Sequence, residues 1–264
     1  MTTNRLQSPS GEITITLFGP PQIFVDGVPY SFKRRKSYAL LAYLAVNQKP
    51  YSREYLASLL WPETPDKTAS KRLRNLLTDI RSVLTEDLLY SEGDIISLDA
   101  SLQVDVRQFE ACAQPFYRQS LTACLSPQML QQLERATQLY TDRFLNGFNS
   151  RDSVEYDDWQ YLAAERYQNI ALGMFAALAN HYLYSQEPED MYNIIQKWLT
   201  IEPLSEEAHR LLMKLYIENN RLDKALHQYH MLVRLLRRQE GISPLPQTKE
   251  LYDKIRNPDS EEAV

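Results

Sequence analysis

The sequence predicts a mainly α protein with a small α+β head at its N-terminal end and an all-α body behind it. Three observations predict this. Apolar and polar residues alternate with period two over Ile13-Thr14-Ile15-Thr16-Leu17, recur at helical spacing beyond Lys36, and return to strand-like runs at Leu88–Tyr90 and Ile95–Leu98. After Asp99 the pattern is helical throughout and strands disappear. Cations gather in the head: Lys33 to Arg81 holds eleven Lys/Arg against four Asp/Glu, in a chain of formal net charge −5.

Residues 1–11 are polar and are expected to be disordered. Ile13–Leu17 is a half-buried strand, broken by Gly19-Pro20-Pro21. Gln22–Val25 is a second strand. Asp26-Gly27 follows as a tight hairpin turn, because both residues tolerate positive φ, and Val28–Phe32 forms a third strand. Tyr38, Leu41, Leu44 and Ala45 mark a first helix ending near Asn47. Ser52 caps a short second helix with Leu56, Leu59 and Leu60, which Pro62 stops. Pro65-Asp66 opens a third, with Asp66 expected as its cap. There Leu73, Leu76, Leu77, Ile80 and Leu84 fall within about 100° of one another, a seam to be buried. Ser91-Glu92-Gly93-Asp94 then turns a hairpin.

In the body, Val104–Cys112, Pro127–Tyr140, Val154–Leu183, Pro188–Leu199, Ser205–Asn219 and Leu222–Arg238 read as helices. Tyr182, Ile195 and Pro203 have rough counterparts in Tyr216, Tyr229 and the Pro244 turn. That weak repeat suits tetratricopeptide-like stacking, in which each helix pair buries its face against a neighbour. Residues 101–264 hold 17 basic and 23 acidic residues, so the body is not itself a DNA-binding surface.

Strands, three helices and a terminal hairpin, in that order, describe a winged helix-turn-helix, whose third helix enters the major groove. The arc opposite its seam carries Lys67, Lys71, Arg74, Asn75, Thr78 and Arg81, the expected recognition residues. Arginine and lysine reach guanine edges or phosphates, and asparagine offers the donor–acceptor pair that suits adenine. Lys33, Arg34, Arg35 and Lys36 precede the first helix and are expected at phosphates, which give affinity and register without sequence information. Glu92 and Asp94 sit where a wing in the minor groove would want cations, so the wing is expected to touch DNA only lightly.

ITITLFGPPQIFVDG, the basic break, ALLAYLAVN, YSREYLASLLWPE and RLRNLLTDIRSVL together resemble the OmpR-type winged helix of SARP-type (antibiotic-regulatory) bacterial activators. VDVRQFEAC, the stretch WQYLAAERYQNIALGMFAALA from Trp159, and IEPLSEEAHRLLMKLYIENNRLDKALHQYHMLVRLLRRQEGISPLPQTKELYDKI resemble that family's bacterial transcriptional activation domain. The resemblance covers nearly all of 12–256. It implies a winged-helix DNA-binding domain at 12–100, an activation domain at 101–258 and a polar tail or linker at 259–264. It also implies a transcriptional activator that binds promoter direct repeats, often as a head-to-tail homodimer, and contacts RNA polymerase.

Other chemistry finds little support. No GxxxxGK[ST] or GxGxxG occurs, so no nucleotide loop is recognisable and no cofactor or enzyme activity is expected. His227 and His230 lack companion ligands, so no metal is expected. Asp152, Glu155, Asp157 and Asp158 read as a solvated helix start, and Trp61 and Trp159 as packing residues. Cys112 and Cys124 read as packing cysteines of a reducing cytoplasm. No apolar run is long enough to span a membrane, and no signal peptide is recognisable. Two rival readings remain: a protein-interaction scaffold built on helical repeats, and the regulatory part of a larger ATPase-containing regulator.

Overall fold

The computed structural model describes residues 12–118 and 125–257. The expected disordered N-terminus at 1–11, the tail at 259–264 and Cys124 lie outside the described residues. The chain divides into two compact units, one of Met1–Ala113 with Gln138–Asn169 and one of Gln114–Thr137 with Ile170–Val264.

In the first unit β1 (Ile13–Thr16), β2 (Gln22–Val25) and β3 (Val28–Tyr30) form an antiparallel meander, with Ile15 opposite Ile23 and Ile23 opposite Tyr30. The β2–β3 hairpin turns on Asp26 and Gly27, both at positive φ (50° and 75°), as the Asp-Gly pair requires. Helices α1 (Arg35–Asn47), α2 (Arg53–Leu60) and α3 (Asp66–Arg81) follow, with β4 (Tyr51–Ser52) between the first two. Ser52 caps α2 as expected, its hydroxyl accepting from Tyr55 N at 3.1 Å. Asp66 does not cap α3. Pro65 holds that position, and Asp66 is the first helical residue, where a carboxylate favours the positive end of the helix dipole. Four of the expected seam residues lie in α3 and are buried, Leu73, Leu76, Leu77 and Ile80, with Ala69 beside them; the fifth, Leu84, is buried too but sits in the turn beyond Arg81, where the helix has already ended. The wing is β5 (Leu89–Glu92) and β6 (Ile95–Leu98), and β4 pairs on its far edge in the order β4-β6-β5.

Strands do not end at Asp99. The two-residue β7 (Gln103–Val104) lies parallel to β1, Ile15 opposite Val104, giving the sheet order β3-β2-β1-β7. Two residues carry no periodicity, so only the remote partner reveals this strand. α4 (Asp105–Arg118) starts directly from it. Phe18, just past β1, meets Phe109, Tyr140 and Tyr167 edge-on, with ring centroids 5.2, 4.8 and 5.5 Å away.

α5 (Pro127–Leu139) precedes α6 (Val154–Ser185), a helix that contributes residues to both units. The second unit continues with α7 (Pro188–Ile201), α8 (Glu206–Glu218), α9 (Leu222–Gln239) and α10 (Pro246–Arg256). α8 packs against both α7 and α9, and α10 against α8 and α9. Met213, Ala225 and Ile255 bring α8, α9 and α10 into one core, with Tyr229 and Tyr252 stacked at 4.1 Å between α9 and α10. The Glu206 carboxylate accepts from Leu245 N (3.0 and 2.9 Å) and from the buried Thr248 hydroxyl (2.6 Å), so the SEE of α8 fixes the start of α10. Among the described residues no helix is long and apolar enough to cross a membrane.

Candidate nucleic-acid interface

α3 has two faces of opposite character. Its seam is in the core, while Lys67, Lys71, Arg74, Asn75, Thr78 and Arg81 are all exposed. Arg72, outside the expected set, is exposed as well, and its guanidinium donates to the Thr64 hydroxyl at 3.1 Å. The Thr78 hydroxyl donates back to the Arg74 carbonyl at 3.0 Å, which fixes its rotamer. Asp79 is the charged residue on the inner face. Its carboxylate accepts from the buried Ser37 hydroxyl at 2.6 Å and lies 3.7 Å from Arg34, so the start of α1 locks the roll of α3.

The four cations before and at the start of α1 do not act alike. Lys33 projects into solvent. Arg34 is half exposed beside Asp79. Arg35 turns toward the segment before α6: its Nε donates to the Asn149 carbonyl at 2.7 Å, and its guanidinium lies 4.7 Å from the Phe148 ring centroid. Lys36 donates to the Leu60 carbonyl in the last turn of α2 and sits 5.0 Å from the Trp61 ring centroid. Burial pushes the Lys36 ammonium below its usual range, with Asp152 pulling it back up. Trp61 is buried here as expected, and Trp159 packs on Tyr43, Phe144 and Tyr156.

The wing is tied to α2 by Arg53. Its Nε donates to the Gly93 carbonyl (3.0 Å), its Nη2 to the Ser91 hydroxyl (2.5 Å), and its backbone N–H to the Asp94 carbonyl (2.8 Å). Glu92 and Asp94 are exposed at the tip.

Two contacts from the start of α6 reach the supporting helices. The Ser153 hydroxyl donates to the Leu59 carbonyl at 2.5 Å and accepts from Tyr156 N at 3.1 Å, so one side chain serves the last turn of α2 and caps α6. The fully buried Tyr156 hydroxyl donates to the Ala39 carbonyl of α1 at 3.1 Å. Neither residue stood out in the sequence. The serine before an acidic helix start is an N-cap signal, but nothing local names Leu59 as its second partner. Ser153→Ala should cost about 2–3 kcal/mol, because a buried carbonyl loses its donor and α6 loses its cap. Urea denaturation checks this, and a change below about 0.5 kcal/mol would show that neither bond matters.

The family model described as the bacterial transcriptional activator domain matches residues 104–256, more than half of the chain. The chain belongs to that family. The matched region supplies residues to both compact units, Ser153 and Tyr156 among them. As a member of the bacterial transcriptional activator domain family, with a winged helix in front, the chain is a SARP-type transcriptional regulator. It is 21% identical to the transcriptional regulatory protein MoaR1 of Mycobacterium bovis (strain BCG / Pasteur 1173P2) over 259 residues, which covers 93% of this chain and 80% of that protein. Identity is also 21% to MoaR1 of Mycobacterium tuberculosis (strain ATCC 25618 / H37Rv) over 255 residues, with the same coverage. Among solved structures, Mycobacterium tuberculosis EmbR in complex with a low-affinity phosphopeptide matches with a TM-score of 0.63 at 19% identity. That match covers 94% of this chain but 66% of EmbR, so the chain spans slightly less than two thirds of that protein.

Among the described residues no three His, Cys, Asp or Glu side chains are grouped to hold a metal ion. His230 lies edge-on to Tyr229 and Tyr252 instead. Asp157 accepts from the Ser150 N–H and hydroxyl at 3.4 and 3.3 Å, organising the segment before α6.

Proposed function

We propose that this chain activates transcription by laying α3 in the major groove of double-stranded DNA and presenting its helical body to RNA polymerase. The observation that carries the reading is the division of α3, whose apolar seam is buried to the last residue while every polar residue expected to read bases stands in solvent. Residues 12–100 act as the winged-helix DNA-binding domain and 101–258 as the activation domain. Arg74 pairs with a guanine edge and Asn75 with an adenine, flanked by Lys67, Lys71, Thr78 and Arg81. Lys33 and Arg34 take phosphates. Arg35 and Lys36, turned toward Asn149 and Leu60, add positive potential rather than direct contact. Two copies bind direct repeats head to tail, in the cytoplasm, and the chain has no catalytic role.

Salt tests the reading. Phosphate neutralisation makes log K fall linearly with log salt at about −0.9 per phosphate. With about two phosphates per head, a fourfold rise in salt lowers affinity about tenfold for each head bound. Fluorescence anisotropy on a selected site measures the slope. Absence of DNA affinity at low salt would overturn the proposal and leave the interaction scaffold.

A further inference from the structure

We infer that the junction of α7, α8 and α9 is a binding site for a small organic anion, a carboxylate or phosphate monoester on a compact, partly apolar frame. The inference does not depend on the DNA-binding reading.

The junction forms an open cavity of about 560 Å³. That is the size of sites that take small molecules, which pair a mostly apolar lining with a few placed polar groups. Its apolar share comes from the buried Leu215 and the faces of Tyr192 and Tyr216. Its charge comes from Arg221, just before α9, and Lys224 in the first turn of α9, both lining the cavity, against the single carboxylate of Glu189. Asn193 adds a carboxamide to the lining, while that of Asn219 is engaged in donating to the Leu215 carbonyl at 2.8 Å.

The α8–α9 turn holds these groups in place. Asn220 adopts a left-handed backbone (φ 55°), and the N–H groups of Asn220 and Arg221 close onto the carbonyls of Ile217 and Tyr216 at 2.9 and 2.8 Å. The Lys224 ammonium lies 5.9 Å from the Tyr216 ring centroid. A cation carried on a fixed backbone turn has only its own side chain to order when it accepts an anion.

The neighbouring hollow gives the ligand its direction. It shares Pro188, Leu215 and Asn219 with the cavity, but it is lined by Glu187 and Glu218 and by no cation. Across this seam, positive charge is therefore confined to the Arg221–Lys224 end. The anionic group belongs there, with the apolar frame over Leu215. A bare inorganic anion would leave the tyrosine faces unused.

Isothermal titration of the whole chain at low ionic strength tests the site, with benzoate and phenyl phosphate as probes and benzamide as the neutral isostere of benzoate. Saturable binding of at least one anion is expected, about tenfold or more tighter than benzamide. Arg221→Ala with Lys224→Ala should weaken it by a similar factor, since both side chains are at the surface and the unliganded melting temperature should not move. The stronger of the two probes identifies the head group. Binding should be unchanged in a chain carrying Arg74→Ala and Asn75→Ala, which separates this site from any anion affinity of α3. Benzamide binding as tightly as benzoate, no saturable anion binding, or full binding by the Arg221/Lys224 variant would each overturn the inference.

Discussion

A chain carrying Arg74→Ala and Asn75→Ala is expected to lose sequence-specific DNA binding while keeping its fold. Both side chains are exposed on α3, and only the Arg74 carbonyl, which the substitution keeps, takes part in the Thr78 hydrogen bond. Alanine is a better helix former than asparagine, so the helix itself is not weakened. The seam from Leu73 to Leu84 is untouched. The effect should therefore appear in recognition alone. Each bidentate base contact contributes about 1–3 kcal/mol, so losing two lowers specific affinity by about 30-fold to 10⁴-fold. Non-specific binding loses one charge and changes far less. Lys33→Ala makes the contrast: it weakens all sequences alike and reduces the salt slope by about one. Gel shifts with specific and scrambled duplexes measure both ratios, and circular dichroism checks the fold. Retained discrimination between the duplexes in the double variant would sink the recognition assignment.

The parts of this fold that were legible in the sequence are those written in local periodicity. Along α3 the apolar residues stand at helical spacing, and Leu73, Leu76, Leu77 and Ile80 are buried because amphipathic spacing leaves a helix one way to face the core; Leu84 continues the pattern and is buried, but from the turn beyond Arg81. Ser52 announced itself as a cap for the same reason, since capping is decided within three residues. The features that escaped reading are those whose partners lie far along the chain. β7 is two residues that mean nothing until β1 is beside them. Arg35 and Lys36 looked like phosphate ligands because a run of four cations reads as one patch. Yet the carbonyls that attract their side chains belong to Asn149 and Leu60, 114 and 24 residues away. Ser153 reaches Leu59 across 94 residues. Asp66 failed as a cap over a distance of one residue, a shift that propensity alone does not resolve. α10 carries Pro246 at its first turn, but its start is fixed by Glu206, 39 residues away, which the local pattern does not name.

Asp105 marks where such a long-range requirement becomes a stability requirement. β1 and β7 pair only as far as Ile15 and Val104, and the next N–H groups of β1's chain would have no strand to face. The Asp105 carboxylate takes them. Its Oδ1 and Oδ2 accept from Leu17 N at 2.9 and 2.8 Å, and Oδ2 accepts from Phe18 N at 3.0 Å. Oδ1 also accepts from Val106 N at 2.7 Å, at the start of α4. Leu17, Phe18 and Asp105 are all buried, so water cannot substitute. Asp105→Ala should therefore cost about 4 kcal/mol, from two stranded donors at about 1–3 kcal/mol each. That is a large share of a typical domain's 5–15 kcal/mol.

The charge adds a pH signature. Burial pushes the Asp105 carboxyl up to about 6, although the backbone N–H donors of Phe18, Leu17 and Val106 pull it down. A folded-state value above the unfolded one means that the folded chain holds the proton more tightly. The protonation-linked stabilisation is then fully present below the unfolded value near 3.8 and is lost as pH rises through about 6. The stability gap between wild type and Asp105→Ala should accordingly be about 1 kcal/mol larger at about pH 5 than at about pH 7. Urea denaturation of both chains at the two pH values measures the gap. A gap that is small at neutral pH would show that the N–H groups of Leu17 and Phe18 find other acceptors. One that shrinks toward pH 5 would show instead that the folded carboxyl titrates below its unfolded value, so that its N–H donors outweigh the cost of burying its charge.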